Sequence, residues 1–264
     1  MPVALTIAGS DSGGGAGIQA DLKTFEAFGV WGTSAITGIT AQNTLGVQDA
    51  LVVAPALVKA QIDSVASDIG VSAAKTGMLG NADVIRAVAA SIAAHDISPV
   101  VVDPVLVTSH GEVLLEKTAV EVLCDLLLPL SAVVTPNLPE AEAMLGHPVE
   151  GIEGMMAAAE EIARFGARAV LVKGGHMEGG DSTDVIWLAG ELHLLEGPRI
   201  PRRNTHGTGC TLSAAICAEL AGGKELLEAC RSAKEFVTAA IVAGLDVGAG
   251  VGPVNPGWSR RRVE

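Results

Sequence analysis

The residues best suited to chemistry form one run, Thr205-His206-Gly207-Thr208-Gly209-Cys210, with good helix formers from Thr211 to Leu220 behind it. Two glycines in a tight turn before a helix make an anion hole. The first N–H groups of a helix have no intrahelical partner, and the helix dipole is positive there. Glycine also lets the backbone approach a phosphate closely. Cys210 stands at the mouth of the hole, where dipole and amides are expected to lower its pKa and supply some thiolate near neutral pH. The competing reading is an inert buried thiol like Cys217. Position separates the two: Cys210 begins the helix, whereas Cys217 and Cys230 lie inside helices.

Other candidates punctuate the chain. Asn137-Leu-Pro-Glu140 puts an amide and a carboxylate at a helix start. That pattern reads as a helix cap with an acid favoured by the dipole, or as a water-mediated Mg²⁺ site, since Mg²⁺ keeps many of its waters. Lys173, ahead of two glycines, reads as a surface lysine or as a point charge on a nucleotide phosphate. Gln42 offers a donor and an acceptor together, which suits the polar edge of a heteroaromatic ring; otherwise it is a solvated loop residue. Met78 packs in a core or lines a site. Gly13-Gly14-Gly15-Ala16-Gly17 lacks the Gly-Lys-Ser/Thr ending of a P-loop and the register of a dinucleotide fingerprint. It reads as a tight strand-to-helix turn or as a close approach of backbone to a small ligand.

These residues need a frame, and the hydrophobic pattern supplies one. Short Val- and Ile-rich runs at 3–8, 33–40, 71–75, 100–102, 132–134 and 169–172 read as strands. Helical spacing covers 17–28, a stretch opened by Pro55, 82–94, about 138–145, 152–165, 209–221 and 224–243; residues 183–195 read as a hairpin turning at Gly190. Continuous apolar strands between helices imply a parallel sheet covered on both faces. Ligands of such sheets bind past the C-terminal strand ends, where the polar and glycine punctuation gathers. No linker or repeat interrupts the pattern, so residues 1–264 read as one domain.

Bulk properties narrow the function classes. Of the 264 residues 49% are hydrophobic, enough for a large core, and tyrosine is absent. A formal charge of -13 argues against nucleic acid, and the basic cluster Arg260-Arg261-Arg262 reads as a solvated tail. The four cysteines form no Cys-x-x-Cys pair and no zinc spacing, which suits reduced thiols in the cytoplasm. The N-terminus reads as a first strand and not a signal peptide, and no stretch approaches the ~20 apolar residues of a membrane span.

Taken together, the chain resembles the hydroxymethylpyrimidine/phosphomethylpyrimidine kinases of thiamine biosynthesis, within the ribokinase-like superfamily. The resemblance runs in order through Ala4–Phe25, Ala41–Thr44, Lys75–Leu79, Asp103–Val105, Thr135–Ala141, Lys173–His176 and Asn204–Ser213. It implies a ribokinase-like three-layer α/β/α sandwich with a mostly parallel sheet, and a homodimer. It also implies two successive transfers from Mg·ATP, to the pyrimidine's hydroxymethyl group and then to the resulting phosphate. By matching position, Gln42 would read the aminopyrimidine edge, with Asp21, Met78 and Val105 lining that pocket. Glu140 with Asn137 would belong to the magnesium–phosphate region. Lys173 would face nucleotide phosphates, and Gly207, Thr208, Gly209 and Cys210 would form the anion hole. The segment Thr108-Ser109-His110-Gly111 fits the family pattern more loosely.

The two transfers need different help. An alcohol loses a proton as it attacks, whereas a phosphate monoester with second pKa ≈ 6 is already ionised at neutral pH. Cys210 is therefore expected to act as a base chiefly in the first transfer. Two rivals stand beside this reading: a pyridoxal/pyridoxine kinase on the same fold, and a non-catalytic pyrimidine-binding protein.

Overall fold

The computed structural model describes residues 1–106, 116–175 and 181–258. The segment 108–111, His176 and the Arg260–Arg262 tail lie outside the described residues.

In chain order the elements are β1 (Val3–Asp11), α1 (Gly17–Ala27), β2 (Trp31–Asn43), β3 (Gly46–Val52), α2 (Pro55–Asp68), β4 (Ala73–Thr76) and α3 (Ala82–Ala94). They continue with β5 (Val100–Val102), α4 (Lys117–Leu126), β6 (Val133–Val134), α5 (Leu138–Leu145), α6 (Gly151–Ala163) and β7 (Ala169–Val172). The chain closes with β8 (Asp184–Leu188), β9 (Glu191–Leu195), α7 (Thr208–Ala221) and α8 (Leu226–Val242).

Among the described residues one nine-stranded sheet runs in the order β3-β2-β1-β4-β5-β6-β7-β8-β9. The strands from β2 to β7 are mutually parallel, while β3, β8 and β9 pair antiparallel at the two ends. The period-2 alternation of a strand feeds two cores. Val100, Val102, Val134, Val170 and Val172 face one core, with Val58 of α2, Val88 of α3, Leu123 of α4 and Ile162 of α6. Val101, Val133, Ala169 and Leu171 face the other, with Phe25 of α1, Leu212 of α7 and Val237 of α8. That is the three-layer sandwich the sequence implies.

Two elements escape the sequence reading. β3 is exposed along nearly its whole length, so it carries no buried stripe to announce it. It nevertheless lengthens β2 into an arm, and Gln42 sits near the tip of that arm opposite Val47. α4 buries Ala119, Val120, Leu123 and Cys124, a helical spacing present in the sequence but masked by the Leu-rich run after it.

Candidate functional site

The turn into α7 is built around a glycine that nothing else can replace. Gly207 caps the helix with φ 82°. A Cβ there would lie 1.8 Å from the carbonyl oxygen of Gly15, and the left-handed backbone would strain any other residue. No side chain caps α7 and no acid stands in its first turn. Thr208 N–H donates to the Thr205 carbonyl at 3.2 Å, which leaves the Gly209 and Cys210 amides for a ligand, as an anion hole requires. Gly209 turns one edge of the hole toward a buried charge cluster: a Cβ there would be 3.4 Å from Lys173 Nζ and 3.8 Å from Asp103 Oδ2.

Lys173 and Asp103, at the ends of β7 and β5, and Glu140, in the first turn of α5 after β6, form that cluster. Lys173 Nζ donates to Asp103 Oδ1 at 3.1 Å and lies 3.7 Å from Glu140 Oε2. Asp103 also accepts from Ser213 Oγ of α7 at 3.1 Å and from Thr135 Oγ1 at 3.3 Å. Burial disfavours its charge, yet Lys173, Lys75 and Ser213 more than offset that and hold the carboxyl below its ordinary range. Burial also opposes the Lys173 cation, but the two carboxylates keep it protonated above its usual range. Glu140 differs: burial, reinforced by Asp103, pushes it up to about 7 despite Lys173. The loop after Lys173 is pinned from behind. Gly174 N–H donates to Asp184 Oδ1 at 2.9 Å, and Asp184 Oδ2 accepts from Lys234 Nζ of α8 at 2.8 Å.

Asn137 and Glu140 realise the helix-cap reading. The Asn137 side chain accepts from Glu140 N–H at 2.9 Å, and Glu140 Oε2 accepts from Asn137 N–H at 2.7 Å. This capping box leaves Glu140 Oε1 for other duty. Among the described residues, no three His, Cys, Asp or Glu side chains cluster as a metal cage. Hard oxygens of Glu140 and Asp103 beside an anion hole suit an Mg²⁺ ion that keeps mostly water and phosphate ligands.

The other glycine run is closed. Asp11, at the end of β1, takes the amides that a phosphate would need: Gly13 N–H at 2.7 Å, Gly15 N–H at 3.0 Å and Ala16 N–H at 2.8 Å. The tight-turn reading of Gly13–Gly17 therefore holds. Burial disfavours the Asp11 charge, but His206 and the Ala16 and Gly13 amides outweigh it and lower its pKa. His206 Nε2 lies 3.0 Å from Asp11 Oδ2 and 3.3 Å from the Gln42 side-chain amide. His206 thus ties Gln42 to the anion-hole turn.

Met78 crosses the ends of β1 and β2. A Cβ on Gly9 or Gly38 would meet Met78 Cε at 2.5 or 2.9 Å, so the two glycines make room for it. Val105 follows Asp103 at the same edge of the sheet and is partly exposed. Gln42, Met78, Val105, Asn137, Glu140, Lys173 and the Gly207–Cys210 turn all stand at the C-terminal end of the parallel strands.

Two expectations are corrected. Asp21 does not line a pocket: it is fully buried and paired with the equally buried Lys75, with Nζ to Oδ1 3.0 Å, and it accepts from Thr6 Oγ1 at 2.6 Å. Strand alternation sends Lys75 to the α1–α7 face of the sheet, where Asp21 answers its charge. Cys210 is not a poised thiolate. Burial raises its pKa to about 11, Asp21 and Asp103 add to the rise, and Lys75 with the Gly17 amide offsets only part of it. Cys217 is buried and inert as expected.

Asp103, His206, Asp11 and Lys75 lie inside the matching motifs, and the sequence alone assigns them no role. An acid directly after an apolar strand, before Pro104 or before a glycine run, is the signal that marks Asp103 and Asp11.

A profile described as phosphomethylpyrimidine kinase matches residues 11–255. A hydroxymethylpyrimidine/phosphomethylpyrimidine kinase of Rhizobium meliloti is 53% identical over 256 residues, 96% of each chain. A Bacillus subtilis pyridoxal kinase in complex with ADP superposes with a TM-score of 0.91 at 39% identity, covering 97% of this chain and 98% of that one. A Clostridium difficile phosphomethylpyrimidine kinase gives a TM-score of 0.81 at 40% identity, covering 91% of this chain and 100% of that one.

Proposed function

Since this chain belongs to the phosphomethylpyrimidine kinase family, we infer that it is an ATP-dependent phosphotransferase acting twice on one pyrimidine. It phosphorylates 4-amino-5-hydroxymethyl-2-methylpyrimidine to the monophosphate and then to the diphosphate, supplying the pyrimidine half of thiamine. The observation that carries the reading is one continuous seam: Gln42, His206, the uncapped Gly207–Cys210 turn, then Lys173 with Asp103.

Each residue takes a part in this reading. Gln42 reads the ring's amino edge, with Met78 and Val105 beside it. In the turn of Gly207, Thr208, Gly209 and Cys210, the Gly209 and Cys210 amides cradle the transferring phosphoryl group, where preorganised donors contribute most, while Thr208 N–H holds the turn through the Thr205 carbonyl. Lys173, held by Asp103 and Glu140, presents its cation to nucleotide phosphates. Glu140 would hold Mg²⁺, largely through water, and the ion would supply neutralisation of phosphate charge. In each transfer the acceptor oxygen bonds to the γ-phosphorus as the bond to the ADP oxygen breaks. The alcohol's proton leaves late in such a loose transition state and passes to an oxygen of the transferred phosphoryl group or to water, so Cys210 need only position the acceptor as a neutral thiol. That replaces the expected base role with positioning.

The β2–β3 arm exposes Ile39 and Leu51, at 50% and 66%, and we assign this face to a homodimer, to be checked by sedimentation. No described helix is long and apolar enough to cross a membrane, and the described cysteines are unpaired thiols, which supports a cytoplasmic enzyme. One coupled assay tests the function: ATP consumption with hydroxymethylpyrimidine, its monophosphate and pyridoxine as acceptors. The first two should turn over. Turnover with pyridoxine and none with the monophosphate would overturn the assignment in favour of the pyridoxal kinase reading, which the structural likeness to such kinases keeps in view.

A further inference from the structure

The orientation of the Gln42 amide can be deduced from its neighbours. One end of the amide lies 3.3 Å from His206 Nε2. The other lies 3.1 Å from Thr40 Oγ1, and that hydroxyl is also 3.1 Å from the carbonyl oxygen of Ser10. The two ends of a glutamine amide are nearly the same size, so hydrogen bonding must decide which is oxygen.

Asp11 starts the deduction. Its ionised carboxylate only accepts, and His206 Nε2 sits 3.0 Å from Oδ2. His206 Nε2 must therefore carry a hydrogen, whether the ring is neutral or cationic. If the Gln42 NH₂ faced the ring, two N–H groups would oppose each other. Thr40 would then have one hydroxyl hydrogen for two acceptors, the Gln42 oxygen and Ser10. Turning the amide over replaces the opposed N–H groups with an attraction and leaves Thr40 a single acceptor. His206 Nε2–H is then shared between Asp11 Oδ2 at 3.0 Å and Gln42 Oε1 at 3.3 Å, Gln42 Nε2–H donates to Thr40 Oγ1, and Thr40 donates to Ser10.

This order has a consequence for the ligand. Gln42 keeps one free lone pair on its His206 side and one free N–H on its Thr40 side. An aminopyrimidine edge offers an amine donor adjacent to a ring-nitrogen acceptor and matches such a pair in one orientation only. A pyridinol ring has no adjacent pair of this kind, because a substituted carbon separates its nitrogen from its hydroxyl. We propose that His206, fixed by Asp11, is the positioning residue that sets the Gln42 amide and so makes the site prefer an aminopyrimidine over a pyridinol. The proposal rests on Gln42 as the residue that reads the ring.

Two measurements test it on the whole enzyme. Imidazole ¹⁵N NMR of histidine-labelled protein, with His206 assigned by loss of its signals in His206→Phe, should show Nε2 protonated at neutral pH. A bare Nε2 with the proton on Nδ1 overturns the proposal, and this wild-type readout stands even if the variant folds poorly. Calorimetric binding gives the second measurement. His206→Phe and Thr40→Val should each weaken hydroxymethylpyrimidine about tenfold, the size of one lost hydrogen bond, while pyridoxal and the nucleotide bind as before. Equal weakening of pyrimidine and pyridoxal would mean a merely structural role and also overturns it. Gln42→Ala separates the two levels: unchanged pyrimidine affinity defeats the reading of Gln42 itself, whereas a large loss beside a bare Nε2 defeats only the role of His206.

Discussion

Gly13–Gly17 and Gly207–Cys210 are built from the same parts: glycines at a tight turn, uncapped by bulk, leading into α1 and α7. They touch, since Gly207 packs on the Gly15 carbonyl and Gly15 lies against the His206 ring. Yet one is closed and the other open. Asp11 fills the first with its own carboxylate, while no side chain caps the second. A glycine-rich turn is open to a phosphate only where no internal acid reaches its amides. The closed turn serves the open one as a rigid wall.

The largest way to break this contrast is to misplace the open turn. Gly207→Ala forces a Cβ onto Gly15 O at 1.8 Å and must shift the turn. We expect about 10²–10³-fold lower kcat in both transfers, the cost of a lost oxyanion donor. Gly209→Ala is its control. The added methyl meets the Lys173 ammonium at 3.4 Å and Asp103 Oδ2 at 3.8 Å, both ordinary contacts, and kcat should fall much less.

Asp11→Asn should open the closed turn at a cost of about 2–3 kcal/mol, because it weakens several charge-assisted bonds. The sign with pH is fixed by the lowered Asp11 pKa. The stabilisation is present above the unfolded value of 3.8 and is lost as pH falls through the lower folded value. Denaturant titrations of the two proteins should therefore converge in acid. A difference that persists there would point to lost packing and not charge.

Cys210→Ala sharpens what the open turn does. A thiol held protonated to about pH 11 predicts that both transfers fall together, by less than about tenfold. A loss of 10²-fold or more confined to the alcohol acceptor is the mark of a general base and would restore that role. The two half-reactions are to be assayed separately.

Glu140 gives the smallest and most pH-specific effect. Its pKa of about 7 in the fold exceeds the ordinary 4.5, so the folded protein binds the proton more tightly. Its carboxylate forms only as pH rises through about 7, and KM for Mg·ATP should fall over the same range. Glu140→Gln should flatten that slope. Native stability should decline between pH 4.5 and about 7 in the parent, with a shallower decline in the variant.

The sequence by itself determined the frame and the address of the site. Apolar β-branched runs must be buried on both faces, so they form a parallel sheet under helices. Chemistry then collects at the strand ends, where Lys173, Glu140 and the Gly207–Cys210 turn were all legible. The Asn137–Glu140 capping box was legible too, because it is a local bond pattern three residues long. Tertiary structure alone decided the rest. Asp21 sits on a helix next to a quoted glycine motif, but only the packing of β4 under α1 reveals that Lys75 consumes its charge. Cys210 begins a helix, which lowers a thiol's pKa in isolation; burial reverses this, and the two carboxylates that add to the rise, Asp21 and Asp103, stand over a hundred residues away in the chain. Asp11 and His206 are 195 positions apart, and whether an amide is free or filled depends on where such distant side chains land. Charge and hydrogen bonding act over a few ångströms in space and carry no signature along the sequence. For that reason the strand ends could be read from the chain, and the difference between its two glycine turns could not.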